Sequence, residues 1–334
     1  MTLRRADPAE PGISRRRSGK GFSYRNPSGQ RVDAETRTRI AQLAIPPAWE
    51  QVWIALDPQS HLLATGVDAA GRTQYLYHPE WRAARDAEKF QRAVALAPQL
   101  PAIRRQLRRE LAEWSSTHAT RTVVESLALL LLDTGSLRLG SETYEQENGS
   151  HGAATLLVQH VKTAADRLLL EFPAKGGDLA EVMIRDPLLV RCVRRLTSGR
   201  APDAYLLSFE DDGWRHLSSA LVGDRFRSLV GDGYSVKDLR TWAATVAAAE
   251  SLAKNAGSPQ EDRAQHVRDA VADAAETLGD TVAVARGSYV DPRLLELYEQ
   301  TGRTVGRCRG PVLQHSSAVR RRVERELLKL LQGA

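Results

Sequence analysis

The sequence predicts an α+β protein: a small N-terminal antiparallel β-sheet domain, then a larger, mainly helical domain with a short three-stranded sheet. Three observations predict it. Between "FSYRNPSGQRV" and "TQYLYHP" the chain is turn-rich, with β-type runs cut by Gly, Pro and Ser. From "HPEWRAARDAEKF" onward, long helical patterns take over. Within that helical part, "HVKTAADRLLLEFPAKGGDLAEVMIRD" alone reverts to β character. The 334 residues fit two domains at roughly 150 residues each.

Taken in order, residues 1–20 are rich in Arg, Pro and Ser without periodicity, and are expected to be a mobile basic segment. Residues 21–91 form the β-rich domain, in which "VWIALD", "HLLATGVD" and "TQYLYH" are strands separated by "PQS" and "AAGR". The boundary is placed near residue 91, and residues 92–334 form the helical domain. "VVESLALLLL", interrupted by Glu125 and Ser126, is about half the ~18 apolar residues of a membrane span and reads as a buried helix. In the β interlude "AKGGD" is the second turn, so Lys175 sits at a hairpin tip where Gly176 and Gly177 permit the reversal.

"KDLRTWAATVAAAESLAKNAG" reads as an Ala-rich helix ending at Gly257. "SPQEDRAQHVRDAVADAAETLG" predicts another, with Ser258 as N-cap, Pro259 at the first helical position, Glu261 closing a capping box and Gly279 as stop. "DPRLLELYEQTG" repeats the device with Asp291, Pro292 and Gly302. Tyr289 therefore falls in a short connection between capped helices, where a side chain can be held rigidly and still face a cleft.

The bulk numbers narrow the function. The composition, 42% hydrophobic and 26% charged, is that of a soluble globular protein. No secretory apolar region follows the N-terminus. Cys192 and Cys308 stand far apart without Cys/His partners at metal spacing, which argues against a disulfide scaffold or a zinc site and fits a reducing cytosol. The net charge is +6 with pI ≈ 9.5, and residues 1–25 alone carry +5. "RRQLRR" sets Arg104, Arg105, Arg108 and Arg109 at helical spacing, and "CVRRL" and "SAVRRRVER" add basic ridges. Such stripes are the electrostatic footprint of phosphate binding, so nucleic acid is the expected partner.

A phosphodiester partner defines the chemistry required. An attacking phenol builds negative charge on the nonbridging oxygens, which guanidinium forks stabilise. The departing alkoxide needs a proton donor, and a Lys on a hairpin tip is suited to that. Arg138 in "LRLGSETY", Lys175, Arg240 in "KDLRTW" and Tyr289 in "SYVDP" supply the set. Each alone has an ordinary structural explanation; their joint appearance in order is the signal.

The chain resembles the type IB DNA topoisomerases in their compact bacterial and poxvirus-like form. The landmarks are "IPPAW", "VWI", "ATGVDAAGRTQYLYHPEWR", "LRLGSETYEQENGSHGAATLL", "KDLRTWAATV", "LGDT" and "SYVDP". The resemblance implies the catalytic fold shared with tyrosine recombinases, and relaxation of supercoiled duplex DNA by transient single-strand cleavage, strand swivelling and religation. It implies Tyr289 as the nucleophile that forms a 3′-phosphotyrosyl link, Arg138 and Arg240 as clamps on the phosphorane, and Lys175 as the general acid. Gln74, Tyr75 and Tyr77 match a strand that enters the major groove. Tyr144 and Lys237 match residues near the scissile phosphate, and Arg286 keeps positive charge beside Gly287, where relatives often carry a basic residue. No cofactor, ATP, obligatory metal, membrane or small-molecule substrate is implied, and a cytoplasmic, nucleoid-associated monomer clamped around DNA is.

At one position the chain departs from the family. Where a His or Asn donates to a nonbridging oxygen, this chain has Asp280. An ionised carboxylate cannot donate and would repel the phosphate, so either Asp280 is protonated in the complex, or its local role has changed, or the enzyme is slow. Two alternatives follow: a site-specific tyrosine recombinase, against which stand Lys237 in place of the recombinase His and the β-type N-terminal part, and a catalytically weakened DNA-binding protein of the same fold.

Overall fold

A computed structural model describes residues 3–115, 118–307 and 317–333; Cys308 lies outside them. The chain divides into two compact units, residues 1–88 and 89–334.

The first unit is built on a five-stranded antiparallel sheet, in the order β2-β1-β3-β4-β5. Its strands are β1 (Ile13–Ser18), β2 (Gly21–Arg25), β3 (Glu50–Ile54), β4 (Leu62–Val67) and β5 (Thr73–Tyr77). The last three are the strands the sequence predicts. Helix α1 (Ala34–Gln42), capped by the Asp33 side chain, contributes Ile40 to a core with Ile13, Val52, Ile54 and Ala64. The expectation of a mobile 1–20 segment fails over β1. Its apolar content is the single buried Ile13, too little to show alternation. The strand is held by Ile13 pairing with Ile54 and by Arg15, which donates to the Pro46 carbonyl (3.1 Å) and lies over the Phe22 ring. Further upstream, the Arg4 amide donates to the Gln59 carbonyl (2.9 Å).

The division falls within α2 (Pro79–Leu96). The second unit continues with α3 (Leu100–Ala112), α4 (Arg121–Gly135), α5 (Glu142–Asn148), α6 (Pro187–Thr197) and α7 (Ser219–Val230). It ends with α8 (Val236–Lys254), α9 (Arg263–Leu278), α10 (Val282–Ser288), α11 (Pro292–Thr301) and α12 (Ser317–Gln332). The antiparallel strands β6 (Val161–Thr163), β7 (Leu168–Pro173) and β8 (Leu179–Ile184) form the three-stranded sheet. Strands β9 (Ser208–Glu210) and β10 (Trp214–His216) make a separate ribbon.

Helix α4 is buried on nearly all sides, its run from Leu127 to Leu132 being almost fully enclosed. The Ala-rich α8 packs on α9, and Ala244, Ala248, Ala270 and Ala274 of the two helices are fully buried in the shared core. Glycines stop helices where the sequence predicts: Gly279 closes α9 and Gly302 closes α11, both left-handed. The Ser258 capping box is corrected. Residues 260–262 form a single 3-10 turn, and α9 begins only at Arg263 without a side-chain cap.

The basic ridges are corrected as well. On α3 the four arginines split. Arg105 and Arg109 are exposed, whereas Arg104 is bound by Asp133 and Glu324, and Arg108 by Asp186. Arg320 of α12 is also buried, against the same Asp133. Part of the basic count therefore ties helices together. Among the described residues, no helix is long and apolar enough to cross a membrane.

Candidate active site

Helix α4 ends at Gly135, and Ser136 then takes a left-handed conformation (φ 50°) that turns the chain into the extended segment carrying Arg138. That segment is fixed by a backbone close approach. The Ala153 amide donates to the Arg138 carbonyl and the Ala154 amide to the Leu139 carbonyl, both at 2.8 Å. A β-carbon on Gly152 would lie 2.4 Å from the Gly140 nitrogen and 2.7 Å from the Arg138 oxygen, so only glycine fits there. The next link runs to the hairpin, because the His151 amide donates to the Pro173 carbonyl (2.7 Å) at the end of β7. Beyond it, Gly176 and Gly177 have positive φ, and Lys175 sits exposed at the tip.

Arg240 comes from the second turn of α8 and is 4% exposed. Its guanidinium donates to the carbonyls of Ser136 and Leu278 (3.0 Å for the latter), joining the end of α4 to the end of α9. Asp280 follows directly. The Gly279 amide donates to the Glu276 carbonyl and the Asp280 amide to the Ala275 carbonyl, a Schellman closure that delivers the carboxylate to the same point. One Asp280 oxygen pairs with Arg138 and the other with Arg240 (2.7 Å), and the carboxylate is 5% exposed. The two arginines thus converge on a single buried monoanion. Burial pushes the Arg240 guanidinium below its ordinary value, and the charge of Arg138 adds to this against Tyr289 and Asp280. A guanidinium remains cationic even so.

Tyr289 is the C-cap of α10 and is 9% exposed. The Arg240 guanidinium lies 5.2 Å and the Lys237 ammonium 5.9 Å from its ring centre. Its backbone is pinned from α8, since the Thr245 hydroxyl accepts from the Asp291 amide (3.2 Å) and shares its proton between the carbonyls of Thr241 (2.9 Å) and Tyr289 (3.3 Å). Tyr289, Arg138, Arg240 and Lys237 line one pocket of about 430 Å³ with Leu139 and Gly223.

The fold therefore brings together Arg138, Arg240, Asp280 and Tyr289, with Lys237 at their edge. Lys175 is not joined to them by any contact among the described residues, and it lines neither pocket that the arginines share. Tyr144 on α5 is 45% exposed, and Arg286 on α10 is exposed. Gln74, Tyr75 and Tyr77 lie on β5 of the first unit. There the two tyrosine rings stack on the open face and Gln74 donates to Asp68 (2.8 Å). Sequence reasoning missed Ser136, Gly152 and Thr245. Of these only Gly152 left a signal, as a glycine in "NGSHGAA" with no turn assigned to it.

Comparison with known proteins gives the site a family. Residues 78–303 match the family model described as eukaryotic DNA topoisomerase I, catalytic core, and residues 21–68 match bacterial DNA topoisomerase IB, N-terminal domain. A DNA topoisomerase 1B of Acanthamoeba polyphaga mimivirus is 28% identical over 299 residues, covering 86% of this chain and 88% of the relative. The DNA topoisomerase 1B of vaccinia virus is 22% identical over 256 residues, 75% of this chain and 76% of the relative. With the catalytic-core match spanning more than half of its length, the chain belongs to the type IB DNA topoisomerases.

Proposed function

We propose that this enzyme relaxes supercoiled duplex DNA through a covalent Tyr289 intermediate, without ATP and without an obligatory metal. The observation that carries the reading is the pairing of Arg138 and Arg240 on one monoanion beside the Tyr289 ring. A scissile phosphodiester is also a monoanion, and it presents two nonbridging oxygens to the same two forks.

The Tyr289 oxygen bonds to phosphorus while the bond to the 5′ oxygen breaks, and the phenol proton passes to solvent water as attack proceeds. Lys175, carried on the β7–β8 hairpin, gives a proton to the 5′ oxygen. The arginines stabilise the charge that grows on the nonbridging oxygens, the kind of term worth roughly 10²–10³ in rate per donor. A phosphotyrosyl ester retains the energy of the phosphodiester, so the 5′-hydroxyl reverses the step after the strand has swivelled. Tyr144, Lys237 and Arg286 supply contacts around the cleaved strand, and Gln74, Tyr75 and Tyr77 meet the duplex from the first unit. We take the enzyme to work as a monomer in the cytoplasm.

Asp280 holds the place that the phosphate needs. Exchange of carboxylate for phosphodiester leaves the number of charges on the arginine pair unchanged, so DNA can displace the side chain, at a cost in rate. A weakened, DNA-binding form of the fold is the second reading, and this one contact favours it. The test is relaxation of supercoiled plasmid in EDTA without ATP, alongside Tyr289→Phe. The unmodified chain should relax the plasmid and Tyr289→Phe should not. A chain that binds DNA but yields no Tyr289 adduct on a suicide duplex decides for the second reading, and dependence on paired sites decides for a recombinase.

A further inference from the structure

The catalytic-core match ends at residue 303, yet the chain folds one more helix, α12 (Ser317–Gln332), with Val323 and Leu327 fully buried. Its polar contacts are more unusual than its apolar ones. Arg320 donates to Asp133 of α4 (2.7 Å) and to Glu324 one turn on (3.1 Å). Arg104 of α3 binds both acids, at 2.8 and 2.9 Å to Asp133 and 2.7 and 2.9 Å to Glu324. The Trp242 indole of α8 donates to Glu324 at 3.2 Å. All four charged side chains are 13% exposed or less.

Stability alone is a weak reason to bury four charges, since well-packed apolar replacements of such clusters are often neutral or stabilising. What charge pairs with fixed hydrogen bonds supply is geometry. Here the geometry is delivered to two places. Asp133 stands at the last turn of α4, and the carbonyl of Ser136 three residues later receives Arg240, with Arg138 two residues beyond. Trp242 stands two residues after Arg240 on α8. The cluster thus grips both segments that present the arginine pair.

We propose that Arg320 and Glu324 are positioning residues for cleavage, setting the spacing of Arg138 and Arg240 from outside the matched core. The inference rests on the function proposed above for those arginines. Misplacement by about 1 Å is enough to cost a reaction ~10²-fold, and a helix that clamps both supports controls displacements of that size.

The test is the double variant Arg320→Met with Glu324→Met, which leaves Arg104 and Asp133 as a neutral pair. Single-turnover cleavage is measured on a suicide duplex with an ordinary scissile phosphodiester, and on one with a methylphosphonate there. A methylphosphonate carries no nonbridging charge, so correct placement of the arginines matters little to it. The expected result is cleavage about 10- to 100-fold slower on the phosphodiester, a defect under about threefold on the methylphosphonate, and unchanged noncovalent DNA affinity. Equal defects on both duplexes, or none, overturn the proposal. Should the double variant fail to fold, Arg320→Lys keeps the charge, removes the fork, and is read by the same split. Absence of a Tyr289 adduct in the unmodified chain would instead remove the proposed function, and this inference with it.

Discussion

Replacing Asp280 by Asn separates what this carboxylate does for the fold from what it does to the chemistry. In the folded protein its two oxygens engage Arg138 and Arg240, at 2.7 Å for the latter, with the carboxylate 5% exposed. Asn keeps the shape and one acceptor, removes the charge and adds a donor. A carboxylate about 5 Å from an incoming phosphate repels it by about 3 kcal/mol at an effective dielectric of ~20, or ~10² in rate. The amide then gives the phosphate a hydrogen bond that the carboxylate cannot. Against this, the two guanidiniums lose their counter-charge. Breaking a buried pair costs about 3–5 kcal/mol, and less here, because Arg138 is 28% exposed and Arg240 keeps the Ser136 and Leu278 carbonyls. Asp280→Asn should therefore melt at a lower temperature without DNA and yet form the Tyr289 adduct about 10- to 100-fold faster in single-turnover cleavage of a suicide duplex. Asp280→Ala, which frees the arginines but donates nothing, should fall between the two. Unchanged or slower cleavage by Asp280→Asn would refute the view that this carboxylate competes with the phosphate.

Two further outcomes follow from the scaffold. Gly152→Ala places a β-carbon 2.4 Å from the Gly140 nitrogen, so the Arg138 segment must move; overpacking of this kind costs about 1–3 kcal/mol. The variant should lose several degrees of melting temperature and cleave at least ~10-fold more slowly, and wild-type values for both would show that the close approach is not tight. In the buried cluster, burial alone would raise Asp133, but the Arg104 and Arg320 guanidiniums outweigh it and hold Asp133 at about 2; Glu324 is lowered for the same reason. Both are depressed carboxylates, so their stabilisation is complete above the unfolded values near ~4 and is lost as pH falls towards about 2. Melting temperature should drop steeply over that interval, and Asp133→Asn should flatten the drop; a flat profile in the unmodified chain would contradict the assignment.

Some of this protein was legible in its sequence because the responsible physics is local. β-type runs bounded by turn residues marked β3 to β5, and "AKGGD" marked the β7–β8 hairpin with Lys175 at its tip. Gly279, Asp291 with Pro292, and Gly302 marked helix ends, because left-handed φ and a proline ring act within a few residues. The ordered set Arg138, Lys175, Arg240 and Tyr289 was legible only as a set, through resemblance. Strand β1 was not legible, since a strand that buries one isoleucine is fixed by its partner and not by its own pattern. Nor was the α9 start, where Ser258, Pro259 and Glu261 offered a cap that the chain does not use.

The sequence by itself determined the two-part α+β plan and the residue types from which a phosphoryl-transfer site can be made, because turns, caps and periodicity are encoded in neighbouring residues. Only the tertiary structure decided which charges face solvent and which face each other. Arg104, Arg108 and Arg320 look like Arg105 and Arg109 in one dimension, yet they are spent on Asp133, Asp186 and Glu324. Asp280, an acid nine residues before the tyrosine in sequence, becomes the shared counter-ion of both arginines. Coulomb energy depends on separation in space and on burial, and the fold brings Arg138 to Asp280 across 142 residues of chain.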